Sequence, residues 1–164
     1  MKVKLFLLFL LLIFTACSTT PPTVVKSFAT ETGLMYFIPS TDWETRSKDM
    51  DKAKLDITYH TGSDLPPAVN ISFFGKKETP RKVTSISLNG EGIVYPLSNI
   101  RALYADSKKR ILRITSDGER NSLASLLEAD TITLTAEIDG ASYTYTPGKM
   151  FNKLKTDFLI MTSY

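Results

Sequence analysis

The sequence predicts a mainly β domain, an antiparallel β-sandwich or curled sheet, with two short helices toward the C-terminus. Three observations predict it. From Val24 onward the apolar residues recur with period two. Turn-forming dipeptides separate these runs at the spacing of a small all-β domain. Only two stretches, both after residue 120, switch to the helical period.

The first two strands are expected at Ser27–Thr30 and Leu34–Ile38. The segment Trp43–Lys54 is charge-rich and weakly patterned, and is expected to be a long loop or an edge hairpin. Leu55, Ile57 and Tyr59 then alternate with Asp56, Thr58 and His60, and Val69, Ile71 and Phe73 with Asn70, Ser72 and Phe74. Asn89-Gly90 predicts a hairpin between Val83–Leu88 and Ile93–Leu97, because both residues tolerate positive φ. Ile100–Tyr104 and Ile111–Thr115 follow, the second closed by Asp117-Gly118. Ile132, Leu134, Ala136 and Ile138 alternate with Thr131, Thr133, Thr135 and Glu137 in the cleanest amphipathic strand. Asp139-Gly140 joins it to a partner carrying Tyr143 and Tyr145. About nine short strands result. The first helix is capped by Asn121 or Ser122 and runs to Ala129, with Leu123, Leu126 and Leu127 on one face. The second starts near Gly148-Lys149 and buries Phe151, Leu154 and Phe158, leaving Lys149, Lys153 and Lys155 solvated. No internal repeat or second domain interrupts residues 24–164, so these form one domain.

Ahead of that domain lies an address. Met1-Lys2-Val3-Lys4 precedes ten consecutive apolar residues, Leu5 to Phe14, and then Thr15-Ala16-Cys17. A charged start, a short apolar stretch and a small-residue junction make residues 1–16 a secretory signal peptide. The apolar run is well short of the roughly 20 residues a spanning helix needs. Phe14-Thr15-Ala16-Cys17 resembles a bacterial lipobox, in which lipid joins the cysteine thiol and cleavage occurs just before it. Phe14 departs from the usual leucine. The only cysteine of the chain falls where that pattern requires it, which makes Cys17 the expected lipidation site and palmitate an expected acyl group. Two or three acyl chains, each adding about 0.8 kcal/mol per buried CH₂, would anchor the protein without a spanning helix. Ser18 fits the sorting of such proteins to the outer membrane. Residues 17–23 are the lipidated cysteine and a polar tether whose Pro21-Pro22 favours an extended chain.

Removing the signal peptide takes away Lys2 and Lys4, leaving 18 of 20 basic residues against 17 acidic ones, so the formal charge falls from +3 to +1. On this average, nothing argues for nucleic acid or for a polybasic membrane patch. One cysteine rules out an intramolecular disulfide, and one histidine beside it excludes the common zinc and thiol chemistries.

Trp43, Asp49-Met50-Asp51, the Leu-rich run from Ser122 to Ala129, the strand Ile132 to Ile138 and the segment Tyr143 to Phe151 follow one another in a recognisable order. In that order the domain resembles the envelope β-sandwich family typified by invasion-associated locus B proteins, over about residues 43–158. The resemblance implies a fold only. The cysteines common in that family are absent, and no functional residue carries over.

Catalytic signatures are not found: the chain has no Gly-x-Ser-x-Gly elbow, no phosphate-binding loop and no dinucleotide fingerprint. His60 falls on the polar side of a strand and reads as a surface residue. Asp49, Asp51 and Asp56 invite a calcium reading, but Ala53, Lys54 and His60 stand where an EF-hand needs a ligand, a glycine and a glutamate. A solvated loop is expected instead, with no metal site and no cofactor. Three basic clusters stand out: Lys76-Lys77 with Arg81-Lys82, Lys108-Lys109-Arg110, and the C-terminal lysines. The first two are expected at strand ends, where lysine guards edges, or against an anionic surface such as lipid headgroups or an envelope polymer. Tyr143 and Tyr145 are expected to cover the core or to form an aromatic binding face.

These observations together predict a bacterial envelope lipoprotein held to a membrane through Cys17. Its domain is expected to be a non-catalytic binding or structural module with a protein or envelope-polymer partner. It is placed in the outer membrane, on the periplasmic or surface face. The alternatives are an inhibitor of an envelope-directed hydrolase such as lysozyme, and a cell-wall glycan hydrolase using a carboxylate pair.

Overall fold

The computed structural model describes residues 25–162; the expected signal peptide (1–16), the expected lipidation site Cys17 and the expected tether up to residue 23 lie outside the described residues. In chain order the elements are β1 (Lys26–Thr30), β2 (Gly33–Glu44), β3 (Met50–His60), β4 (Ala68–Gly75), β5 (Val83–Gly90), β6 (Ile93–Pro96), β7 (Ser98–Asp106) and β8 (Ile111–Asp117). Then come α1 (Arg120–Glu128), β9 (Ile132–Ile138), β10 (Ala141–Pro147) and α2 (Lys149–Thr162). The protein is mainly β, as its alternation predicts.

Every strand pairing is antiparallel, in the order β6-β5-β9-β10-β2-β3-β4-β8-β7, with β1 also on β2. The two halves of this curled sheet are joined where Thr146 pairs with Glu44 and Pro147 with Trp43, and Gly148 N–H donates to the Asp42 carbonyl at 3.0 Å just beyond. Both halves and both helices contribute to one hydrophobic cluster reaching from Val25 to Phe158. All of that core lies C-terminal to residue 24 among the described residues.

Trp43 explains how α2 is held. It is fully buried, its ring meets Phe151 edge-on at 4.8 Å, and its indole N–H donates to the Thr41 hydroxyl at 3.3 Å. Two turns further on, Phe158 packs edge-on against Tyr36 and Tyr59. Helix α2 thus lies along β2 and closes the core on that side; burial of each such aromatic is worth about 2–3 kcal/mol.

The structure corrects several expectations. Residues 43–54 do form a hairpin, but neither a long loop nor an edge: the ends of β2 and β3 pair across the five-residue turn 45–49, and β3 is flanked by β2 and β4. The pattern is weak there because the outward faces carry Asp42, Glu44, Lys52 and Lys54 while the inward position opposite Trp43 is only Ala53. The turn after β5 is Glu91-Gly92 (φ 51° and 82°), not Asn89-Gly90. Gly90 stays in the strand because α1 crosses it: a Cβ there would lie 2.9 Å from Ala129 Cβ and 3.0 Å from Leu126 Cδ1. Helix α1 is capped by Glu119, not by Asn121 or Ser122, since its carboxylate accepts the N–H groups of Asn121 (3.0 Å) and Ser122 (2.6 Å). The Ser122 hydroxyl and these two N–H groups hold the Glu119 carboxyl below its usual range. Asp139-Gly140 does form the expected tight turn, with φ of 52° and 83°.

Candidate functional site

Strand direction decides which loops share an end. The turn at residues 45–49 joins β2 to β3, 76–82 joins β4 to β5, 107–110 joins β7 to β8, and 139–140 joins β9 to β10. The register places all four at one end of the molecule, since Glu44 pairs Lys52, Met50 pairs Gly75, Phe74 and Asp106 pair Ile111, and Val83 pairs Ile138.

Backbone contacts bind these turns together. Lys76 N–H donates to the Asp49 carbonyl (2.8 Å) and Gly75 N–H to that of Arg110 (2.9 Å). The Lys76 ammonium donates to the Ser47 carbonyl at 2.7 Å, and the Arg110 guanidinium to the Lys76 carbonyl. The Asp139 carboxylate accepts the N–H groups of Arg81 (3.1 Å) and Lys82 (2.9 Å). Lys109 N–H is fixed by the Asp106 carboxylate at 3.0 Å.

The result is a concentration of positive charge. The four turns hold Arg46 and Lys48, then Lys76, Lys77, Arg81 and Lys82, then Lys108, Lys109 and Arg110. Against these nine cations stand only Asp49, Glu78 and Asp139. All nine cations are exposed. Lys77, Lys82, Lys108 and Lys109 make no salt bridge among the described residues; Arg81 has only a 3.8 Å contact with Glu78, which is too exposed to contribute much. Between the second and third turns lies a shallow groove of about 580 Å³, with Lys77, Arg81, Lys108, Arg110 and one carboxylate, Glu78, on its walls. The opposite end, made of the turns at 31–32, 61–67 and 91–92 and of α1 with its flanking residues, has Glu31, Asp64, Glu91, Glu119, Glu128 and Asp130 against Arg120 and Lys155, whose ammonium reaches the Ala129 carbonyl. The nearly neutral average conceals an uneven distribution, with the basic residues of four turns gathered at one end.

A second hollow of about 310 Å³ adjoins the basic end, between Asp49, Lys77, Pro80, Asp139 and Tyr143. Burial, followed by the charges of Asp49 and Asp139, raises the Tyr143 phenol above its usual pKa, so it is a neutral hydrogen-bonding group. Tyr145, two residues on and facing the same way, is wholly buried with its ring 5.7 Å from Phe73. Tyr145 thus covers the core, and Tyr143 is partly buried against it beside the hollow.

Other singled-out residues are dispersed. Asp56 belongs to no solvated loop: it is 3% exposed on the outer face of β3, where its carboxylate accepts from Arg113 (2.8 Å) and Asn70 (2.8 Å). Arg113 also donates to the Ser72 hydroxyl at 2.9 Å. Asp49 and Asp51 lie at the β2–β3 turn, away from it. His60 is half-buried and pairs with Met35 at the end of the sheet remote from the basic turns. Of the C-terminal lysines, Lys149 and Lys153 are exposed, whereas Lys155 is half-buried and donates to the Ala129 carbonyl at 2.6 Å. Among the described residues, no three His, Cys, Asp or Glu side chains converge as metal ligands, and no helix is long and apolar enough to cross a membrane. No family model, curated protein or solved structure matches the chain.

Proposed function

We propose that this chain is a lipid-anchored lipoprotein of the bacterial cell envelope, attached through Cys17, and that its β domain is a non-catalytic binding or structural module. The observation that carries the reading is the place of the only cysteine. It stands directly after an apolar leader and a small-residue junction, and eight residues before Val25, the first buried residue of the core. A tether of that length keeps the domain within about 25 Å of whatever holds Cys17. The exposed, charged turns at one end supply a recognition surface, and the resemblance to envelope β-sandwich proteins is in keeping with it. Ser18 favours the outer membrane.

Labelling cells with a palmitate analogue tests the anchor. The expected result is label on the wild-type protein in the membrane fraction, and neither label nor membrane retention for Cys17→Ser. A mutant that still takes up label and sediments with membranes would refute it. Protease treatment of intact and permeabilised cells then separates a surface-facing from a periplasmic domain.

A further inference from the structure

We infer that the basic end is a membrane-docking face, which lays Lys77, Lys108 and their neighbours against the phosphate groups of anionic phospholipids. Three observations carry it. The first is charge complementarity: the four turns at one end hold nine exposed cations against three carboxylates, with Glu44, Asp51 and Asp106 flanking them, while the far end carries more acidic than basic residues. A polarised molecule turns its basic end toward an anionic bilayer and its acidic end away from it.

The second is shape. The groove between residues 76–82 and 107–110 is shallow, and the cations around it stand on separate turns rather than converging on one enclosed point. Such an arrangement suits an extended anionic surface better than a single small anion.

The third is the direction in which the chain enters the domain. Strand β1 pairs Thr30 with Gly33 and Lys26 with Phe37, while Glu44 marks the basic end of β2. Followed backward from Thr30 to Lys26, β1 therefore runs toward the basic end. From the level of Phe37 to that of Glu44 is about 23 Å of strand, within the roughly 25 Å that eight extended residues can span. A lipid on Cys17 is thus within reach of the side where the cations are. This orientation rests on the anchor proposed above; the affinity for headgroups does not.

The experiment uses the chain from residue 17 onward carrying Cys17→Ser, so that no acyl chain contributes. It is sedimented with vesicles of phosphatidylcholine alone and with vesicles containing about 30% phosphatidylglycerol. Binding is expected only to the anionic vesicles, and to weaken several-fold between roughly 0.1 M and 0.5 M salt as charges are screened. Lys77→Glu/Lys108→Glu should weaken it about tenfold or more. Arg101→Glu/Lys153→Glu, which makes the same change in net charge elsewhere on the domain, should leave it within about twofold. Melting curves confirm that both variants fold.

No binding to anionic vesicles overturns the inference, as does equal loss in the two double variants. Displacement by millimolar inorganic phosphate also overturns it, because the groove would then be a site for free phosphate. So does binding to soluble polyphosphate without binding to vesicles, which would assign the face to a polymer. Failure of palmitate labelling with vesicle binding intact would remove the anchor and leave the docking face standing.

Discussion

Asp139 and Lys82 hold each other through a reciprocal pair of hydrogen bonds: the Asp139 carboxylate accepts the Lys82 N–H at 2.9 Å, and the Asp139 N–H donates to the Lys82 carbonyl at 2.9 Å. Fifty-seven residues separate them in the chain. The contact fixes the loop that presents Lys77 and Arg81, so an acidic residue organises the basic end. Asp139→Gly should cost about 1 kcal/mol, since it removes an exposed charged acceptor yet keeps the positive φ. Asp139→Asn retains one acceptor and should cost about half as much. Denaturant unfolding gives the energies. Amide exchange at Arg81 and Lys82 should quicken in both variants, and unchanged exchange would show that the loop holds itself.

Gly90 and Gly92 test two different reasons for glycine. At Gly90 an added methyl group meets Ala129 and Leu126 of the α1 end, so Gly90→Ala should destabilise by about 1–3 kcal/mol through overpacking. At Gly92 the space is open and φ is +82°, so Gly92→Ala should cost about 1 kcal/mol of backbone strain alone. Shortening the neighbour separates them. Leu126→Ala costs stability by itself, but it should partly relieve Gly90→Ala and have no coupling to Gly92→Ala. Equal coupling at both positions would contradict the packing account.

How much of this was legible beforehand follows from where the information resides. Strands with one buried and one wet face, such as Ile132–Ile138, declare themselves by alternation alone, and Asp139-Gly140 declares its turn. Asn89-Gly90 carries the same local chemistry, yet the glycine is required by α1, a contact no local pattern contains. The basic clusters were visible as residues. Their meeting was not, because Lys77 and Lys108 are neighbours only through the order β4-β8-β7, which is a property of the whole sheet. The net charge erased the signal further, as the acidic far end offsets the basic one. Asp56 was obscured in the opposite manner: proximity in sequence to Asp49 and Asp51 suggested one acidic cluster, while strand register carries it to Arg113.

That pair yields a stability prediction of its own. Asp56 is buried and Arg113 half-buried, so removing the carboxylate leaves a guanidinium and the Asn70 amide without their acceptor. Asp56→Ala should cost about 3 kcal/mol. Replacing both partners, Asp56→Leu with Arg113→Met, should cost clearly less than Asp56→Ala, because no charge is stranded. Urea unfolding of the variants measures the difference. A double variant as unstable as Asp56→Ala would mean that the site's shape matters more than its charges.

Tyr145 offers the reverse case, a substitution expected to help. Its ring is fully buried against Phe73, and its hydroxyl has no hydrogen-bond partner among the described residues. Folding therefore strips water from a polar group and returns nothing, a cost of about 1–3 kcal/mol that phenylalanine avoids while keeping the ring. Tyr145→Phe should stabilise the domain by about 1 kcal/mol. The same burial, with a smaller contribution from Tyr143, raises the Tyr145 pKa above the usual tyrosine value near 10. The sign follows from the protons bound. Below pH 10 the phenol is protonated in both states and has no effect on pH dependence. Above it the unfolded chain loses the proton and the folded one keeps it, so stability falls by up to about 1.4 kcal/mol per pH unit. Unfolding curves from pH 8 to 11 should show this decline in the wild type and a shallower one in Tyr145→Phe. If the variant is less stable at pH 8, the hydroxyl is satisfied in solution; if the two curves stay parallel to pH 11, its ionisation is not linked to folding.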